Sequence, residues 1–142
     1  MEILLTLHSY LRYVIIALAG YTLVKAIMNK SEFEESQRKS TLFLMVSSDI
    51  MLLIGLVLYF GNGWFQQLTT NPDAMKDASI RKFSLEHALL MIIAWVLVHV
   101  AYAKVKKGVG TIKANKTVMI FVGLATVIVL VAIPWTMRPA FR

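Results

Sequence analysis

Four stretches of this chain, residues 3–28, 41–60, 83–102 and 117–137, are each almost unbroken in apolar character for the length that crosses a membrane. A helix rises ~1.5 Å per residue and the hydrocarbon layer of a bilayer is ~30 Å thick, so ~20 mostly apolar residues span it. The runs lack the alternation of strands, and an open sheet edge has no partner for its backbone in lipid. The expected fold is therefore all-α: an integral membrane four-helix bundle, up-down-up-down, with residues 1–142 as a single transmembrane domain. Composition agrees, since 58% of the residues are hydrophobic where soluble domains hold ~45–50%.

The chain has no cysteine. That excludes disulfides, thiolate metal sites, iron–sulfur ligation and covalent c-type haem attachment. The net charge of +7 does not imply a nucleic-acid partner, because the basic residues cluster at the ends of the apolar runs, which is how membrane topology is written. The partner these features imply is the lipid bilayer. No cleavable signal is expected: Glu2 precedes the first run, no basic region leads it, and Arg12 interrupts it.

The connections carry their own signals. Ser31 and Glu34 have capping-box spacing, which suggests a short surface helix leading into the second span. Gly61-Asn62-Gly63 reads as a turn, followed by Trp64 and Phe65 at the interface, and Asn71-Pro72 reads as a helix start. Gly108 and Gly110 break the third connection. Tyr10, Tyr13, Tyr21, Trp64, Tyr102 and Trp135 read as interface anchors. Basic residues set the orientation. Lys25, Lys30, Arg38, Lys39, Lys104, Lys106, Lys107, Lys113 and Lys116 fall on one side, and Lys76, Arg81, Lys82, Arg138 and Arg142 on the other. The excess belongs in the cytoplasm, so both termini are expected on the non-cytoplasmic side.

Ionisable groups inside a span cost ~2.5–3.5 kcal/mol or more at its centre, yet the chain keeps His8, Arg12, Asp49, Glu86, His87 and His99. His8 lies five residues into the first run and His87 four into the third. Both are thus ~6–8 Å below the same face. Two imidazoles at one level on like-directed helices meet the requirement of an iron porphyrin for two axial ligands. At the same level the other two helices offer Gly55 and Ala132, small enough to let a flat ring approach. The plainer reading is two separate interhelical hydrogen bonds, with small residues serving ordinary helix contacts.

Arg12 and Asp49 lie at similar depth, ~13 and ~16 Å, and are expected to pair as a structural ion pair. Arg12 could instead meet a haem propionate; Arg138, at the outer end of the fourth run, suits that role better. Glu86 either orients a ligand or pairs with Arg81 or Lys82. His99, twelve residues past His87, is ~18 Å deeper. It is a second-haem ligand only if a methionine such as Met45 or Met119 completes the set, and otherwise bonds a neighbouring serine or carbonyl.

Leu7-His8-Ser9-Tyr10-Leu11-Arg12-Tyr13, Ser48-Asp49-Ile50, Leu53-Ile54-Gly55-Leu56, Glu86-His87 with Met91-Ile92-Ile93-Ala94, and Ile133-Pro134-Trp135 with Arg138 together resemble small four-helix bacterial membrane proteins labelled cytochrome b-like. The resemblance implies haem b and electron transfer, a multi-pass location in the bacterial inner membrane, and ligand roles for His8 and His87. The expected function is to pass electrons to or from a quinone pool or a redox partner subunit, through one haem, or two if His99 is a ligand. No catalytic residue is assigned, and a homo-oligomer is compatible with the sequence. Two alternatives stand beside this: a cofactor-free accessory subunit of a larger membrane complex, and a proton or small-ion carrier using Asp49, Arg12 and Glu86.

Overall fold

The computed structural model describes residues 1–29 and 31–135. Among them there is no strand. Five helices carry the chain: α1 (Glu2–Met28), α2 (Glu35–Gly61), α3 (Trp64–Thr70), α4 (Ala78–Val105) and α5 (Lys113–Ala132). All but α3 are long and apolar enough to cross a membrane, and large apolar side chains such as Ile3, Leu53, Ile120 and Val131 stand exposed along them. In water such a surface would be unstable; in lipid it is the correct solvent-facing surface.

Each helix boundary has a local cause. Glu34 begins α2 through a reciprocal cap: its side chain accepts the backbone N–H of Gln37, and its own N–H donates to Gln37 Oε1 at 2.8 Å. The box is thus Glu34–Gln37, not Ser31–Glu34. Among the described residues no separate surface helix precedes the span; α2 runs unbroken from six residues before the expected Thr41. Gly63, with φ of +79°, turns the chain into α3, a conformation that favours glycine. Pro72 does not start a helix. Residues 72–76 form turns, and α4 begins where Asp77 Oδ1 accepts the N–H groups of Ser79 and Ile80 at 2.9 and 3.0 Å. At the other extreme α5 stops at Ala132 rather than 137. Ile133 precedes Pro134 and takes an extended ψ of 126°, as the proline ring demands.

The long helices pack around a ring in the order α1, α2, α4, α5, so α1 faces α4 and α2 faces α5 across the middle. At one end the chain is laced by polar contacts. Gln37 Nε2 donates to Asn115 Oδ1 at 2.7 Å, Asn115 Nδ2 donates to the Ser31 carbonyl at 3.1 Å, and Thr22 Oγ1 donates to Ser40 at 3.1 Å. The Phe33 N–H donates to Thr111 O, and the Gly110 N–H returns to Phe33 O. At the opposite end Met1 packs so closely on Gly61 that a Cβ there would clash, and Tyr59 OH donates to Ser84 O at 2.7 Å.

The buried core occupies the laced half. It is built from Ala19, Ala26, Leu44, Ala94, Val98, Ala101, Val118, Val122 and their neighbours, mostly small side chains that let helices approach in lipid. In the other half the helices part around a cavity.

Candidate functional site

The cavity has a volume of about 880 Å³, within the ~300–1,000 Å³ usual for ligand pockets. Its floor is the top of the core: Ala19, Leu44, Ala94, Val98, Val122 and Ala125 belong to both. Its walls carry His8 and Arg12 from α1, Gly55 from α2 and His87 from α4.

His8 and His87 face each other across the ring of helices. Their ring centroids are 6.3 Å apart, with the planes inclined by 68°. An imidazole nitrogen bonds a first-row metal at about 2.0–2.1 Å, and the ring centre lies roughly 1 Å behind that nitrogen, so a metal held between two imidazoles separates their centres by about 6 Å. The observed spacing fits that value.

The small residues expected at this level are there, each touching a histidine. A Cβ on Gly55 would lie 3.3 Å from His8 Cε1, so the ring rests where a side chain would otherwise stand. Ala132 is fully buried, and its carbonyl accepts a hydrogen bond from His87 Nδ1 at 3.0 Å. A carbonyl can only accept, so Nδ1 carries the proton and Nε2 keeps its lone pair. Metal-bound histidines commonly fix their tautomer through such a backbone bond. His8 Nδ1 is buried with no hydrogen-bond partner among the described residues.

The approach of α4 to the site has a feature the sequence did not announce. Residues Lys82–Glu86 form a single π turn immediately before His87, closed by the His87 N–H donating to Lys82 O. Such turns insert one residue into a helix and rotate the turns beyond it. Here the turn is held by Tyr59 on the Ser84 carbonyl and by Trp64 of α3 stacked on Phe83, centroids 5.3 Å apart. Glu86 pairs with Arg81 at 2.9 Å, the plainer of its two expected roles, and does not orient a histidine.

Arg12 lines the cavity, but Asp49 is not its partner. Its guanidinium donates to Tyr13 OH at 3.2 Å and lies 5.6 Å from the Trp135 ring centre, while Nε is buried and unpartnered. Asp49 instead accepts from Trp95 Nε1 at 2.8 Å and meets His99 Nε2 at 3.0 Å. The expected Arg12–Asp49 pair is therefore corrected. Equal depth was its sole ground, and α2 has two neighbours at every depth. Asp49 turns to α4 because side chains lean toward the start of their own helix. α2 and α4 run in opposite senses, since Tyr59 meets Ser84 and Arg38 meets Tyr102. Asp49 and His99 thus lean toward each other along the axis.

His99 does not line the cavity; its Nδ1 meets the Trp95 carbonyl at 3.0 Å and its Nε2 meets Asp49 at 3.0 Å. Met45 packs against the core, and Met119 stands on the exposed surface. Arg138 lies outside the described residues. Among the described residues no group of three or more histidine, aspartate or glutamate side chains converges to hold a metal ion. Comparison with protein-family models, curated proteins and solved structures finds none that matches this chain.

Proposed function

We propose that the chain is a b-type haem-binding membrane protein, with His8 and His87 as axial ligands, that passes electrons to or from a quinone pool or a redox partner subunit. The observation that carries this is the pair of facing imidazoles 6.3 Å apart in an apolar cavity. Two protein ligands are too few for a bare ion in a structural site. They would suffice for a metal that brings further ligands of its own, as haem iron does, and the cavity beside them has a volume of about 880 Å³.

A haem bound there supplies one-electron chemistry at its iron. The chain does the rest. The Ala132 carbonyl holds His87 in the Nδ1–H tautomer, so Nε2 is the donor atom. Gly55 admits the His8 ring. Leu52, Met91 and Val129 give the cavity an apolar wall, which favours neutral imidazole ligation. Arg12, with its unpartnered Nε in the cavity wall, is available to a propionate carboxylate; Arg138 is the second candidate.

The topology that goes with this reading is an up-down-up-down bundle in a bacterial inner membrane, with both termini and the histidine pair toward the non-cytoplasmic face. The resemblance of its segments to small membrane proteins labelled cytochrome b-like implies the same function. Purified protein, expressed with haem supplied, is expected to give a reduced-minus-oxidised b-type spectrum, and His8→Ala or His87→Ala is expected to abolish it. A folded, colourless preparation would favour a cofactor-free accessory subunit instead.

A further inference from the structure

On the α2–α4 seam three residues form a closed hydrogen-bonded set, through their side chains and the Trp95 backbone carbonyl. Asp49 Oδ1 accepts from Trp95 Nε1 at 2.8 Å, Asp49 Oδ1 meets His99 Nε2 at 3.0 Å, and His99 Nδ1 meets the Trp95 carbonyl at 3.0 Å. The donors and acceptors can be counted. A carbonyl oxygen only accepts, so His99 Nδ1 carries a proton. A neutral imidazole then has a bare lone pair on Nε2, directed at a carboxylate oxygen that also has only lone pairs. Two acceptors at 3.0 Å repel. The contact is made only if one more proton lies between them, either on Nε2, giving imidazolium and carboxylate, or on the carboxyl, giving the acid and neutral imidazole.

We infer that Asp49, Trp95 and His99 form a binding site for a single proton, shared between the Asp49 carboxyl and His99 Nε2, within the membrane span. In either form the pair carries no net charge. That suits its surroundings, because removing the proton would leave an uncompensated carboxylate in a medium that disfavours charge. Among the described residues no lysine or arginine is paired with Asp49. Arg12 of α1 lies against Tyr13 and Trp135, and Arg38 of α2 is paired with Glu35. Facing α4, α5 has no ionisable side chain between Lys116 and its end at Ala132. Both side chains are partly open, His99 at 32% and Asp49 at 40%. Trp95 joins the site to the cavity: its side chain lines the wall and its indole N–H anchors Asp49. The site does not rest on the haem reading and stands or falls separately.

The test is the protonation state itself. Protein labelled on its histidine ring nitrogens and aspartate carboxyl carbons is studied by magnetic resonance in lipid vesicles near neutral pH. Wild type is expected to show one of two states: His99 with both nitrogens protonated, or a neutral His99 beside a protonated Asp49. Asp49→Asn is expected to shift the His99 Nε2 signal in either case, to that of a neutral ring where wild type carries the imidazolium and to that of a nitrogen without its acid partner where wild type carries the protonated Asp49, while His8→Ala leaves both signals in place. A neutral His99 next to an ionised Asp49 in the wild-type spectrum overturns the proposal without recourse to any variant. So does an Asp49→Asn protein whose His99 signals do not move.

Discussion

At the scale of single residues, Gly55 separates the haem reading from its alternative most sharply. Glycine inside a helix costs about 1 kcal/mol relative to alanine, so Gly55→Ala should stabilise a four-helix protein with no other use for the position. Here a Cβ would come 3.3 Å from His8 Cε1, so the ring must yield by a few tenths of an ångström. The expected outcome is a variant as stable as wild type or more so, whose haem affinity falls roughly tenfold, about 1.4 kcal/mol. Gly55→Val, with two further carbons, is expected to lose the pigment while keeping its helix content. Haem titration followed by absorbance, with circular dichroism as the fold control, reads both. Equal haem affinity in wild type, Gly55→Ala and Gly55→Val would remove Gly55 from the site.

At the scale of elements, the laced end of the molecule fixes which helices meet. Gln37 and Asn115 are 1% and 2% exposed and bond at 2.7 Å, far from the cavity. Asn115→Ala leaves the Gln37 amide and the Ser31 carbonyl without this partner, and a buried polar group left unsatisfied costs about 1–3 kcal/mol. The variant is expected to unfold at a lower temperature in detergent and to bind haem as wild type does; the melting curve and the spectrum together check it. Here the limits of the sequence are instructive. The apolar runs, the turn at Gly63 and the common level of His8, Gly55, His87 and Ala132 were legible, because each comes from counting residues along an axis. The Asp49 partner was not, because depth does not say which neighbour a side chain turns to. Nor was the π turn before His87, whose cause lies in Tyr59 and Trp64 on other helices. The capping box was mislocated by three residues because Ser31 and Glu34 have the spacing, whereas Glu34 and Gln37 have the geometry.

At the scale of the whole molecule, the two ends of the helix ring differ in both packing and charge. Among the described residues, the end with the small-residue core carries eight lysines and arginines in and beside its connections, and the end with the cavity carries three, Lys76, Arg81 and Lys82. If that bias sets the orientation, the histidine pair opens toward the non-cytoplasmic side and the Asp49–His99 pair lies closer to the cytoplasm. The absence of native cysteine makes the orientation directly measurable. Ser36→Cys reports on the laced end and Gln66→Cys on the cavity end, both at exposed positions. In intact cells a membrane-impermeant thiol reagent is expected to label the Gln66→Cys protein and to spare the Ser36→Cys protein until the membrane is opened. The reverse pattern would turn the molecule over. The cavity would then face the cytoplasm and any electron partner would have to approach from there, yet the 6.3 Å spacing of the two imidazoles would be untouched, because it depends on how the helices pack and not on which way they were inserted.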